Sequence, residues 1–161
     1  MNLQPNETPT DTCLAECDLQ NAPKILCIDD DPDIIRSFET VLSNFEIQLL
    51  TADCGALGII DVFDEQPDVI ITDVRMPNGD GPGLIKRIKS NTVTARIPVI
   101  VFTGRRDARL PDRMKRLGAA GFLHKPAHFE ALLSEIGKFV PLTERNWADD
   151  DLTTACHCTH N

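Results

Sequence analysis

Four apolar runs in this chain stop at residues able to do chemistry. Asp29, Asp30 and Asp31 follow Lys24-Ile25-Leu26-Cys27-Ile28, and Asp73 follows Val69-Ile70-Ile71-Thr72. Thr103 closes Pro98-Val99-Ile100-Val101-Phe102, and Lys125 follows Gly121-Phe122-Leu123-His124. Carboxylates brought together repel, and at neutral pH a hard divalent cation with oxygen ligands, Mg²⁺ foremost, relieves that repulsion. With a lysine and a hydroxyl added, the set suits a phosphoryl group. The cation and Lys125 would neutralise its oxygens, Thr103 would hydrogen-bond one of them, and a carboxylate would accept it. Each residue also has a plainer reading: Asp73 as a cap on its own loop, Thr103 as a strand former, Lys125 as a solvated lysine. Agreement among several strand ends is what favours chemistry.

The elements that would hold these groups are legible from periodicity. Each short apolar run reads as a buried strand. Ile47-Gln48-Leu49-Leu50-Thr51 adds a further one. After the first strand, Asp31 suits an N-cap, Pro32 the first helical position and Asp33 the first turn. This accounts for Asp31 and Asp33 and leaves Asp29 and Asp30 over. Ile34, Phe38, Val41, Leu42 and Phe45 recur at helical spacing. Asp53 is expected to cap a helix packed through Ile59, Ile60 and Phe63, in which Gly55 and Gly58 are unfavourable. Leu84, Ile85 and Ile88 mark a helix ending near Ser90 or Asn91. Pro111 delays the next, which Gly118 closes, and Phe129, Leu132, Leu133, Ile136 and Val140 mark the last. Five strands alternating with five helices imply right-handed crossovers and helices on both faces of a parallel sheet. In such sheets ligands bind beyond the carboxyl ends of the strands, where these residues stand.

At 161 residues the chain suits one domain with a proper core. It carries a net charge of −9, but residues 23 to 140 hold 17 acids and 15 bases, so the acidity belongs to the ends. Bulk nucleic-acid binding is not expected. No apolar run approaches the roughly 20 residues of a membrane span, and the reading is a soluble, cytoplasmic protein. The six cysteines lack the spacing of a disulfide scaffold. Cys27 reads as a small core residue. Cys13, Cys17, Cys156 and Cys158 match no common zinc pattern. Residues 1–22 read as a flexible acidic lead-in and 141–161 as a polar, disordered tail.

The combination Ile28-Asp29-Asp30-Asp31-Pro32, Asp73-Val74-Arg75-Met76-Pro77, Asp80-Gly81, Val101-Phe102-Thr103-Gly104 and Phe122-Leu123-His124-Lys125-Pro126 resembles the receiver domain of two-component response regulators. That family includes the single-domain chemotaxis regulator. The resemblance implies a doubly wound, flavodoxin-like α/β fold, with five parallel strands in the order 2-1-3-4-5 and five helices, over a receiver domain spanning 23–140. It further implies that Asp73 is the phosphoacceptor. Asp30, Asp73 and the backbone carbonyl of Arg75 would ligate Mg²⁺, with Asp29 acting through water. Thr103 and Phe122 match the family's switch pair, and Lys125 its lysine, joined to Pro126 by a cis bond.

The implied function is a phosphorylation-activated switch. It would take its phosphoryl group from a histidine kinase or phosphotransfer protein and signal through partner binding, catalysing only its own phosphorylation and dephosphorylation. Arg75 and Arg105 lie two residues after the acceptor and the switch threonine, and are expected to shield the acyl phosphate from water. Around the fourth helix, Arg105, Arg106, Arg109, Arg113, Lys115 and Arg116 outweigh Asp107 and Asp112. That surface suits an acidic protein partner, a homodimer contact or a solvated face. Pro111 shortens the fourth helix and sets the output surface apart from the family pattern. No output domain is legible after Val140, so a stand-alone receiver or phosphorelay intermediate is expected, with a fragment of a larger regulator as the alternative. Two competitors are a phosphorylation-independent docking module and a haloacid-dehalogenase-type phosphatase built on Asp29-Asp30-Asp31. The latter leaves Asp73 without a role. His124 and His128 read as structural or solvated rather than catalytic.

Overall fold

Strands buried on both faces read as continuous apolar runs, and the computed structural model, which describes residues 21–76 and 79–146, places them so. β1 (Lys24–Ile28) pairs in parallel with β2 (Gln48–Ala52) on one side and β3 (Val69–Thr72) on the other. β3 pairs with β4 (Val99–Thr103), and β4 with β5 (Gly121–His124), giving a five-stranded parallel sheet in the order β2-β1-β3-β4-β5. β3 and β4 are buried along their whole length. A two-residue ladder, Arg75–Met76 against Gly79–Asp80, follows β3 and tightens the loop carrying Asp73. Pro77, and the readings made of residues 1–20 and 147–161, including Cys13, Cys17, Cys156 and Cys158, lie outside the described residues.

Five helices cover the two faces, as the alternation requires. α1 (Pro32–Leu42) and α5 (Phe129–Ile136) bury Phe38, Leu42, Leu132 and Ile136 on one face, against Ile25, Cys27, Ile71, Ile100 and Phe102. α2 (Gly55–Glu65), α3 (Gly81–Ser90) and α4 (Leu110–Arg116) close the other over Leu26, Ile28, Ile70, Val99 and Val101. Cys27 is a core residue, and burial followed by the nearby Asp29 charge pushes its thiol up. α1 begins as read: Asp31 is the N-cap, its side chain accepting the Asp33 N–H at 2.9 Å, with Pro32 next. Lys89 joins the α3 end to the following loop by donating to the carbonyls of Ala95 at 2.9 Å and Ile97 at 2.6 Å.

α2 departs from its sequence reading in two respects. Its N-cap is Cys54, without a side-chain cap, rather than Asp53. Its inner face is Gly55, Gly58, Ile59 and Val62, while Ile60 and Phe63 face outward. Gly58 is the cause. A Cβ there would stand 2.5 Å from Ile28 Cδ1, so this glycine lets α2 sit down on β1 and turns the bulkier residues away from the sheet. α4 starts at Leu110 with Pro111 in its first turn and ends in a Schellman arrangement: Gly118, at φ 101°, donates to Lys115 O, and Ala119 to Met114 O, both at 3.0 Å. Beyond α5, residues 141–146 run along the α1–β2 turn, with Phe45 bridging Glu144 and Arg145 N–H donating to Asn44 O at 2.7 Å.

Candidate functional site

The site forms because β1 and β3 are neighbours that end in register, Ile28 opposite Thr72, so the residues just beyond them meet. Asp29 and Asp73 follow these strands, and the Asp73 N–H donates to Ile28 O at 3.0 Å. One carboxylate oxygen from each of Asp29, Asp30 and Asp73 lies within 4.8 Å of the others. Lys125 enters from the end of β5, fixed by its N–H donating to Thr103 O at 2.8 Å, and its peptide bond to Pro126 is cis. Its ammonium donates to Asp29 and, at 3.2 Å, to Asp73 Oδ2.

Backbone donors orient the carboxylates. Asp73 Oδ1 accepts the Val74 N–H and, at 3.3 Å, the Arg75 N–H, while Asp29 Oδ1 accepts the Asp31 N–H at 3.1 Å. The Thr72 hydroxyl donates to Asp73 O at 2.9 Å, and Gly81 packs so closely on that carbonyl that a Cβ would stand 2.5 Å from it. Beneath the ammonium lies the Phe102 ring, 5.5 Å from centroid to Nζ, itself edge-on to Phe38. The sequence reading did not find Phe102, Thr72 or the backbone donors. Phe102 had only its place before Thr103 to mark it.

Three carboxylates against one ammonium leave a negative site. Burial is the largest influence on Asp29 and holds its carboxyl above the ordinary range, the Asp73 charge adding to this against the Lys125 and Asp31 donors. Burial alone would lower Lys125, but Asp29 and then Asp73 outweigh it and hold the ammonium above its ordinary range. Asp30 is exposed and has no partner among the described residues. An all-oxygen donor set with excess negative charge and one open carboxylate fits a hard divalent cation such as Mg²⁺.

Thr103 is buried at the end of β4, its hydroxyl accepting the Arg105 N–H at 3.4 Å. Phe122 sits opposite Val101 on β5, half-buried against the core, its ring edge-on to that of His124 at 5.0 Å. The structure thus gathers Asp29, Asp30, Asp73 and Lys125 at one point. Thr103 and Phe122 stand on the two adjoining strands, and the Arg75 and Arg105 side chains are exposed. Around α4 the six basic side chains are exposed and form no ion pair among the described residues. One of them, Lys115, lines a cleft of about 250 Å³ together with Gly121, Phe122 and Glu135.

Comparison with known proteins points the same way. The family model for the response regulator receiver domain matches residues 25–137. Protein PilH of Pseudomonas aeruginosa is 32% identical over 113 residues, 70% of this chain and 93% of that protein. Hybrid signal transduction histidine kinase D of Dictyostelium discoideum is 25% identical over 138 residues, 85% of this chain but 9% of that protein. Among solved structures, chemotaxis protein CheY4 of Vibrio cholerae aligns with a TM-score of 0.69 at 26% identity, over 74% of this chain and 99% of that one. Some curated relatives are longer: the chain spans 56% and 55% of two others. No helix among the described residues is long and apolar enough to cross a membrane.

Proposed function

Because the chain belongs to the response regulator receiver family, whose members are signalling domains rather than enzymes of the usual kind, we propose that it is a phosphorylation-activated switch with Asp73 as its phosphoacceptor. The observation that carries this reading is the convergence of Asp29, Asp30 and Asp73 within 4.8 Å, with the Lys125 ammonium bonded to both Asp29 and Asp73. An Asp73 carboxylate oxygen bonds to phosphorus in line as the P–N bond to a donor phosphohistidine breaks, and the imidazole leaves with the electron pair. The donor is a histidine kinase or phosphotransfer protein. Asp30, Asp73 and the Arg75 carbonyl would hold a divalent cation, with Asp29 acting through water, and the cation would supply charge to offset that on the phosphoryl oxygens. Lys125 shifts from its shared carboxylates to a phosphoryl oxygen, and the Thr103 hydroxyl turns from the Arg105 N–H toward another. Phe122, two residues along β5 from the partner of Thr103, reads that movement out at the α4 surface.

The output partner this surface fits is an acidic protein face, since six exposed bases stand there beside two acids. The functional unit of the reading is 23–140, working in the cytoplasm with its phosphodonor.

Intact-protein mass after incubation with acetyl phosphate and Mg²⁺ tests it. One added phosphoryl group is expected in the wild type, and none with Asp73→Ala or after chelation. An unmodified wild type that still binds the cation would sink the reading and favour a phosphorylation-independent docking module.

A further inference from the structure

Large apolar side chains are exposed unevenly in this molecule. Of the six among the described residues, three lie on α2: Leu57 at 50%, Ile60 at 53% and Phe63 at 39% exposure. The close seat of Gly58 on Ile28 explains why they point outward, where the described residues leave each of them more than a third exposed. The same helix carries Asp61, Asp64 and Glu65 and no basic residue. Glu65 is paired with Lys24. Asp61 and Asp64 have no cationic partner among the described residues, and burial followed by the charges of Asp64 and Glu65 raises the Asp61 carboxyl. An apolar stripe edged by crowded, uncompensated acids is complementary to a helix with the opposite edge.

We propose that the outer face of α2 docks an amphipathic helix of a partner protein, one with an apolar stripe flanked by lysine or arginine. Leu57 and Ile60, one turn apart, supply the anchors, and Asp61 and Asp64 select the basic edge. This surface lies on a different helix from the basic α4 face, so the molecule offers two docking sites of opposite charge. The α2 site does not depend on phosphorylation of Asp73.

The probe is a synthetic helix of about 15 residues, four turns, made of leucine and lysine in amphipathic order, compared with its leucine and glutamate counterpart. Both are titrated into the ¹⁵N-labelled full chain. The lysine peptide should shift amides along α2 with a Kd on the order of 10–100 µM, fitting a contact below standard interface size. Leu57→Gln with Ile60→Gln should weaken it about tenfold. Asp61→Asn with Asp64→Asn, which leaves the apolar stripe intact, should weaken it less and flatten its salt dependence. Equal binding of both peptides, shifts confined to Asp29, Asp30 and Asp31, or full affinity in the glutamine variant would overturn the proposal. So would sedimentation showing self-association of the chain that Ile60→Gln alone dissolves, which would make a second copy the occupant.

Discussion

Asp29 is the residue that sets the cost of this site. Its side chain is 3% exposed, and the Lys125 ammonium it bonds is shared with Asp73. Its raised pKa means that the folded chain holds the Asp29 proton more tightly than the unfolded chain does. Stability is therefore lost as pH rises from the ordinary value of 3.8 through the raised one, and the deficit is complete above it. Asp29→Asn should then stabilise the cation-free protein at neutral pH by about 1 kcal/mol, the size typical when a strained site group is relieved. The advantage should shrink as pH falls toward 3.8. Thermal melts in chelator across that range check it, and a less stable Asn variant at neutral pH would refute it. Arg75 would act later, on the phosphorylated form, since its exposed side chain stands two residues beyond Asp73. If it screens the acyl phosphate from water, Arg75→Asn should hydrolyse several-fold faster, and an unchanged decay rate in a phosphoprotein time course would remove that role. Asp29, Asp73, Thr103 and Lys125 could be picked out in the sequence because each ends an apolar run. Phe102 could not, since its place beneath Lys125 depends on the directions of two side chains from adjacent strands.

At the level of elements, what carried information was punctuation. Asp31 and Pro32 announced the start of α1 and Gly118 the end of α4, because caps are local chemistry and local sequence holds them. α2 resisted the same reading. Its apolar residues recur at helical spacing, and periodicity alone assigns the largest of them to the core. The inner face is instead chosen by the distance to β1, a tertiary quantity, and at that distance a glycine is what fits at position 58 opposite Ile28. Gly58→Val tests this directly. Its side chain would overlap Cδ1, Cγ1 and Cγ2 of a fully buried isoleucine and should cost roughly 2 kcal/mol by overpacking. Replacing the outward Phe63 by Ser should cost far less. Equal losses for the two variants in denaturant unfolding would show that the helix has no such preferred seat. The ladder after β3 was also invisible beforehand, since two residues per strand leave no pattern to count.

For the whole molecule, the strand order brings every loop with chemistry to one edge of the sheet, and the core beneath must absorb the repulsion gathered there. A domain of this size has a net stability of only about 5–15 kcal/mol, so a site that costs even one of these is a visible fraction of the total. A cation that binds the folded site and not the unfolded chain should return more than that. At a hundred times its Kd, Mg²⁺ would add about 2.7 kcal/mol to the unfolding free energy of the entire domain, because the fold is the only state in which Asp29, Asp30 and Asp73 meet. The effect should appear as a rise in melting temperature with Mg²⁺ that K⁺ at equal ionic strength does not reproduce. Asp30→Asn should abolish most of it while leaving the cation-free melting temperature nearly unchanged, since Asp30 is exposed and has no partner to lose among the described residues. If the Asp30→Asn variant were stabilised by Mg²⁺ as much as the wild type, the three carboxylates would not be the cation site. The switch would then need another source of positive charge beside Lys125.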